Sequence, residues 1–222
     1  MTKPILSKNA IECAKILFKD VPKIVFFDCE TTGLAPDKGE RIIELALSVF
    51  EKGELTLNTV MRFNPEGREN SEGAKRVNKI EDAELLNEPT FKSKAAELRA
   101  IFTDDAMYGG YNVGFDLKFM KYEFENAGQK PLPPLTDLAV IDPYKLWENI
   151  CPKKTLSDAY KVFVGGTLDK AHTANADILA TVEILFNMLK KFGVENDSKT
   201  IAAICGGQAP SSSTKESAAG PI

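Results

Sequence analysis

Asp28 and Glu30 stand two residues apart at the end of the apolar run Ile24-Val25-Phe26-Phe27. In a strand, residues i and i+2 share a face. Asp28-Cys29-Glu30 would therefore set two carboxylates side by side and turn Cys29 the other way. Two like charges at a buried strand end are costly unless a cation neutralises them, and a divalent metal ion does that. Oxygen ligands favour Mg²⁺ or Mn²⁺ over zinc. The plainer reading is two solvated carboxylates at a strand end. The apolar quartet before the pair and the tight Thr31-Thr32-Gly33 turn after it weigh against that reading.

Two further segments carry titratable residues at helix starts. In Tyr111-Asn112-Val113-Gly114-Phe115-Asp116, Asn112 is expected to cap the following helix, with Asp116 in its first turns and Phe115, Phe119 and Met120 packing inward. Alone, Asp116 reads as a complement to the helix dipole. In Ala171-His172-Thr173-Ala174-Asn175-Ala176-Asp177, the sole histidine precedes a helix whose first turn holds Asp177. A histidine there can act as general base while the carboxylate holds a metal. Alone, the pair reads as a surface histidine beside a dipole-friendly aspartate.

The elements that must position these residues are legible in outline. Ile5 to Asp20 reads as an amphipathic helix stopped before Pro22. Ile24 to Phe27 is typical of a strand buried on both faces. Arg41 to Phe50 and Leu55 to Phe63 read as strands joined by a hairpin turn at Glu51-Lys52-Gly53-Glu54. Ser71 to Val77 reads as a short helix, and Thr90 to Phe102 as a longer one with Phe91, Ala95, Leu98 and Phe102 on one face. A strand over Ala106 to Tyr111, a helix from Val113 to Ala127 closed by Gly128, and a strand over Leu138 to Ile141 follow. Helices over Thr155 to Val164 and Asn175 to Phe192 complete the order, the last with a core stripe of Ile178, Val182, Leu185 and Leu189. An antiparallel start followed by alternating helix and strand implies an α/β domain with a mixed central β-sheet flanked by helices. Residues 1–22 would be a helical extension and 194–222 a largely flexible tail, Ser/Gly/Ala-rich from Gly206.

Bulk properties fit an ordinary globular protein: 222 residues, 43% hydrophobic and 27% charged. Cys13, Cys29, Cys151 and Cys205 are far apart and form no CxxC pair, which argues against a disulfide framework or zinc site and for a reducing cytoplasm. No signal-peptide core and no apolar stretch near the ~20 residues of a membrane span is visible, so no membrane association is expected. A net charge of −4 argues against a nonspecific coat on duplex nucleic acid. It leaves a nuclease open, because a metal-loaded acidic site presents positive charge to phosphate.

Taken together, the order Asp-x-Glu, Asp, His-x4-Asp resembles the DEDDh (DnaQ-like) 3′→5′ exonucleases, the family of the proofreading subunit of bacterial replicative polymerase and of ribonuclease T. IVFFDCETTGL, YNVGFDLKFMKYEF and HTANADILATVEIL are similar to its three motifs, although many members carry His-Asn where this chain has Tyr111-Asn112. RIIELALSVF, NEPTFKSKAAELRAIF and LAVIDPYKLW match in place and character, so the resemblance spans residues 23–193.

The resemblance implies a ribonuclease H-like fold and two divalent cations. Asp28 would bridge both ions, Glu30 and Asp177 would complete the water-activating site, and Asp116 would support the second ion. His172 would take the proton from the attacking water. Thr31 and Leu34 would cradle the terminal nucleotide, and Asn78 stands where some relatives place a substrate-contacting histidine. Tyr111 at a strand end could stack on a base, although core packing is the commoner use of such a residue. The implied substrate is the 3′ end of a single-stranded nucleic acid, DNA before RNA, with a polymerase or other replication or repair protein as partner. RNA 3′ trimming and a non-catalytic binding or polymerase accessory module are the alternatives, and an α/β phosphatase or nucleotidase is a third.

Overall fold

A strand apolar at every position needs both faces covered. In the computed structural model, which describes residues 8–148, 155–168 and 174–193, Ile24-Val25-Phe26-Phe27 lies in the middle strand of a five-stranded sheet. The strands are β1 (Ile24–Thr31), β2 (Ile42–Glu51), β3 (Glu54–Arg62), β4 (Met107–Gly109) and β5 (Ala139–Ile141), in the spatial order β3-β2-β1-β4-β5. β1, β2 and β3 are antiparallel neighbours, while β4 and β5 run parallel to β1 and to each other. The mixed sheet is the one expected. At the hairpin, Glu51 pairs with Glu54 across Lys52 (φ 51°) and Gly53 (φ 80°). Two positive φ angles make the mirror-image turn that suits strand twist.

Helices cover both faces: α1 (Lys8–Leu17), α2 (Glu72–Asn78), α3 (Asp82–Leu85), α4 (Phe91–Ile101), α5 (Gly114–Asn126), α6 (Pro143–Trp147), α7 (Leu156–Phe163) and α8 (Ala174–Phe192). Val25 and Phe27 pack with Phe91, Ala95 and Leu98 of α4 and with Phe119, Met120 and Phe124 of α5. On the other face, Ile24 and Phe26 pack with Ala14 and Leu17 of α1 and with the expected stripe Ile178, Val182, Leu185 and Leu189 of α8. α1 thus shares a core with the sheet. A smaller cluster joins α6, α7 and α8 around Trp147, Ala159, Ile184 and Met188.

Ser71, Thr90 and Thr155 cap their helices, accepting from the backbone N–H groups of Ala74, Ser93 and Asp158. Asn112 does not cap α5 as expected. It takes a left-handed conformation, φ 62°, and its side chain accepts no bond from the start of the helix. Asparagine tolerates that conformation better than most residues, and here it redirects the chain into α5. The short helices α3 and α6 were not foreseen. Each is set by local capping, Glu81 with Glu84 for α3 and Asp142 for α6, in segments too short to show a period. Among the described residues Cys13 and Cys29 are free thiols, and no helix is long and apolar enough to cross a membrane. His172, Cys151, Cys205, the first residues of the expected N-terminal helix and the 194–222 tail lie outside the described residues.

Candidate active site

The site grows from a mismatch in strand length. β4 pairs with β1 only over Ile24, Val25 and Phe26, whereas β2 pairs along the whole of β1. Beyond Phe26 one edge of β1 is therefore open. The chain leaves β4 through Gly110, where a Cβ would lie 2.9 Å from the Phe27 carbonyl oxygen, so only glycine lets it pass this close to β1. α5 then starts beside the open edge. Asp116, buried in its first turn, accepts the backbone N–H of Cys29 at 3.0 Å.

Asp28 and Glu30 share the α8 face of β1 with Ile24 and Phe26, while Cys29 faces the α4 and α5 side. Asp177, in the first turn of α8, closes over Asp28. Burial, then the charges of Asp177 and Glu44, push the Asp28 carboxyl well above the usual carboxylate range. Burial, then Asp28, Glu44 and Asp177, push Glu30 up to about 8. Burial and the charge of Asp28 push Asp116 well up too, against the opposing pull of the Cys29 N–H. The fold thus brings Asp28, Glu30, Asp116 and Asp177 within electrostatic reach at one end of β1. Among the described residues no three acidic, cysteine or histidine side chains close on one point in metal-ligating geometry. The donor set still fits a hard divalent cation: it is all oxygen, largely withdrawn from water, and its members repel one another until a positive charge arrives.

Beside Glu30 opens a cavity of about 620 Å³, within the range of small-molecule sites. Leu34, Ala74, Val77 and Phe115 give it apolar walls, and Glu30 and Glu40 line it as well. Leu34 is 84% exposed on its lip. The lip is shaped by the Thr31-Thr32-Gly33 turn: the Thr31 hydroxyl donates to the Gly33 carbonyl at 2.6 Å, and the Thr32 hydroxyl donates to Glu40 at 2.5 Å. A Cβ on Gly33 would lie 2.6 Å from the Glu40 carboxyl carbon, so a larger residue there would have to push the Glu40 side chain aside. Asn78 also lines the cavity, but its carboxamide is committed to the wall. It donates to the Thr31 carbonyl and accepts from Ile80 N–H and the Asn70 amide. Tyr111 packs edge-on against Tyr144. Behind the site, Asp142 accepts the N–H groups of Asn112 and Tyr144 at 2.8 and 3.0 Å, and burial raises its carboxyl to about 6.

Phe115 packs against the core beside Phe119, as expected, but its second place as a cavity wall was not read from the sequence, and Glu40 and Glu44 were missed altogether. Alternation along β2 places Glu44 on the face of Glu30 once the register of β2 against β1 is known, and that register is the signal the sequence withholds.

Comparison with known proteins agrees with this geometry. A family model described as exonuclease (RNase T) matches residues 25–185. The chain is 31% identical over 175 residues to the 3′-5′ exonuclease DinG of Bacillus subtilis (strain 168), covering 76% of this chain and 18% of that protein. It is 27% identical over 190 residues to the DNA polymerase III subunit epsilon of Rickettsia conorii (strain ATCC VR-613 / Malish 7), covering 79% and 82%. It is also similar to PolC-type DNA polymerase III of Streptococcus suis (strain 98HAH33), at 29% over 180 residues, of which it spans 12%. The chain is thus a small part of the length of two of these relatives. The structure of E. coli Exonuclease I in complex with a dA16 oligonucleotide superposes with a TM-score of 0.65 at 20% identity, covering 76% of this chain and 41% of that one. Exonuclease X in complex with 5′ overhanging duplex DNA superposes at 0.59 and 20% identity, covering 82% and 99%. With the mixed sheet between helices, the carboxylates at the end of its central strand and a family match over residues 25–185, the chain belongs to the exonuclease family of phosphodiester hydrolases and has its ribonuclease H-like fold.

Proposed function

We propose that this chain is a metal-dependent 3′→5′ exonuclease that removes nucleoside monophosphates from the 3′ end of single-stranded DNA. The observation that carries the reading is the junction of the cavity with the acidic end of β1: Glu30 belongs to both. A terminal nucleotide seated between Leu34, Val77 and Phe115 would bring its phosphodiester to the carboxylates. The names of the relatives support the polarity and the substrate, and the polymerase III relatives support a replication or repair protein as partner.

Asp28, Glu30, Asp116 and Asp177 would hold two Mg²⁺ or Mn²⁺ ions. When bound, such ions lower the pKa of attacking water and neutralise charge on the phosphate and the leaving 3′ oxygen. The chain's own residues do the rest. Thr31 and Leu34 shape the seat of the terminal nucleotide, and Asn78 props the turn that carries them. His172 accepts the proton of the attacking water. Asp28, central to the carboxylates, carries the largest share of cation binding.

The test is digestion of 3′-labelled and 5′-labelled DNA and RNA oligonucleotides with Mg²⁺, Mn²⁺ or EDTA. Stepwise release of mononucleotides from the 3′ end of DNA, abolished by EDTA and restored by either metal, is expected. Full activity in EDTA would end the metal reading, and a preference for RNA would move the substrate to RNA trimming. Rapid nicking of circular single strands would make the protein an endonuclease.

A further inference from the structure

Glu30 on β1 lies directly opposite Glu44 on β2, and Glu44 lies directly opposite Arg62 on β3. Directly opposed residues of antiparallel strands share a face. The three side chains therefore form one row across the sheet, on the face that carries Asp28. The row continues beyond the sheet: Arg62 Nε donates to Glu44 Oε2 at 2.8 Å and Arg62 Nη1 donates to Glu84 Oε2 on α3 at 2.7 Å. The side chains of Glu44, Arg62 and Glu84 are 12%, 34% and 45% exposed, so the row grades from the carboxylate centre out to solvent.

Two features set this row apart from an ordinary surface ion pair. Like charges directly opposite on one face destabilise a sheet, so strand pairing alone disfavours Glu44 beside Glu30. Glu44 is also buried, its Oε2 is engaged by Arg62, and its charge reaches both Asp28 and Glu30. A carboxylate held in this way adds negative potential to a cation site without being a ligand of it. The guanidinium behind it subtracts from that potential.

We propose that Glu44 and Arg62 are positioning residues that set the divalent-cation affinity of the Asp28/Glu30 centre, Glu44 raising it and Arg62 holding it down. The inference rests on the metal-dependent reading above and assigns Glu44 and Arg62 a role in it. It predicts effects of opposite sign. A salt bridge that merely braces the hairpin predicts the same sign for both deletions, because either one loosens β2, the strand paired with Glu30 on β1.

The experiment is calorimetric titration of the full chain with Mn²⁺, every variant at the same pH and in the same buffer. Glu44→Gln, which keeps an acceptor for Arg62, should weaken Mn²⁺ binding about tenfold, the scale of an outer-sphere change. Arg62→Gln should tighten it several-fold, about threefold or more by the Coulomb term at short range. Arg62→Lys, which keeps the charge, should return affinity towards that of the unsubstituted chain. Weakening by both Glu44→Gln and Arg62→Gln, or no change in either, would overturn the proposal. Asp28→Ala is the control that separates the two readings. If it abolishes binding while the other variants behave as the unsubstituted chain, the metal centre stands and the Glu44–Arg62 role falls. If it binds Mn²⁺ as before, or the unsubstituted chain binds none, both fall.

Discussion

Asp116 and Cys29 are joined by a hydrogen bond of 3.0 Å, from the backbone N–H of Cys29 to the carboxylate on α5. The bond completes the open edge of β1 between Asp28 and Glu30, so one side chain supplies both charge to the site and an acceptor to the strand. Substitution separates the two. Asp116→Asn keeps an acceptor, whereas Asp116→Ala leaves a buried N–H unpaired at a cost of about 1–3 kcal/mol. Both variants should lose nuclease activity, and the alanine variant should melt at a lower temperature than the asparagine variant. Equal melting temperatures would remove the strand-completing role.

Stability in chelator should fall as pH rises. Asp28, Glu30 and Asp116 are all raised, Glu30 to about 8, and Asp142 is raised to about 6. A carboxyl with a higher pKa folded than unfolded binds its proton more tightly in the native state. Its contribution is complete below about pH 4 and is lost as pH climbs through the folded value. Thermal unfolding in EDTA should therefore give a falling Tm between about pH 5 and pH 8, and Mn²⁺ should offset the fall most at the alkaline end. A Tm that rises across that window would contradict the raised carboxyls.

His172, the sole histidine, gives the proton-transfer assignment a clean test. His172→Ala should lower turnover by about 10²–10⁴-fold, the range of a positioned acid–base group. Mn²⁺ and oligonucleotide affinity should be retained. An active variant would remove the imidazole from the mechanism.

Leu34 projects from the cavity lip with 84% of its surface exposed, so its removal should cost the fold little. Leu34→Ala is expected to raise KM for a single-stranded oligonucleotide several-fold, with stability unchanged within about 0.5 kcal/mol. An unchanged KM would show that the terminal nucleotide does not rest on this side chain.

Much of the fold is readable from local chemistry. The stripes of α4 and α8, the apolar β1 and the Lys52-Gly53 turn each declare themselves through periodicity or turn propensity. The acidic pair in β1 follows from alternation alone. What escapes depends on how distant segments meet. Glu44 gains meaning only from the register that sets it opposite Glu30, and Phe115 becomes a cavity wall because α2 lies across from α5. Asn78 shows the converse. Its position near the cavity is legible, but its bonds to Thr31, Asn70 and Ile80 come from a fold-back that no residue pattern announces.

Trp147 is the chain's one tryptophan, 5% exposed and packed edge-on at 5.0 Å against Phe163, where α6, α7 and α8 meet. α7 and α8 flank the segment that contains His172. Indole emission in this protein therefore has a single source, buried where α6, α7 and α8 pack together. Any repacking of these three helices when metal or an oligonucleotide binds can be followed by intrinsic fluorescence in the unlabelled chain, in real time.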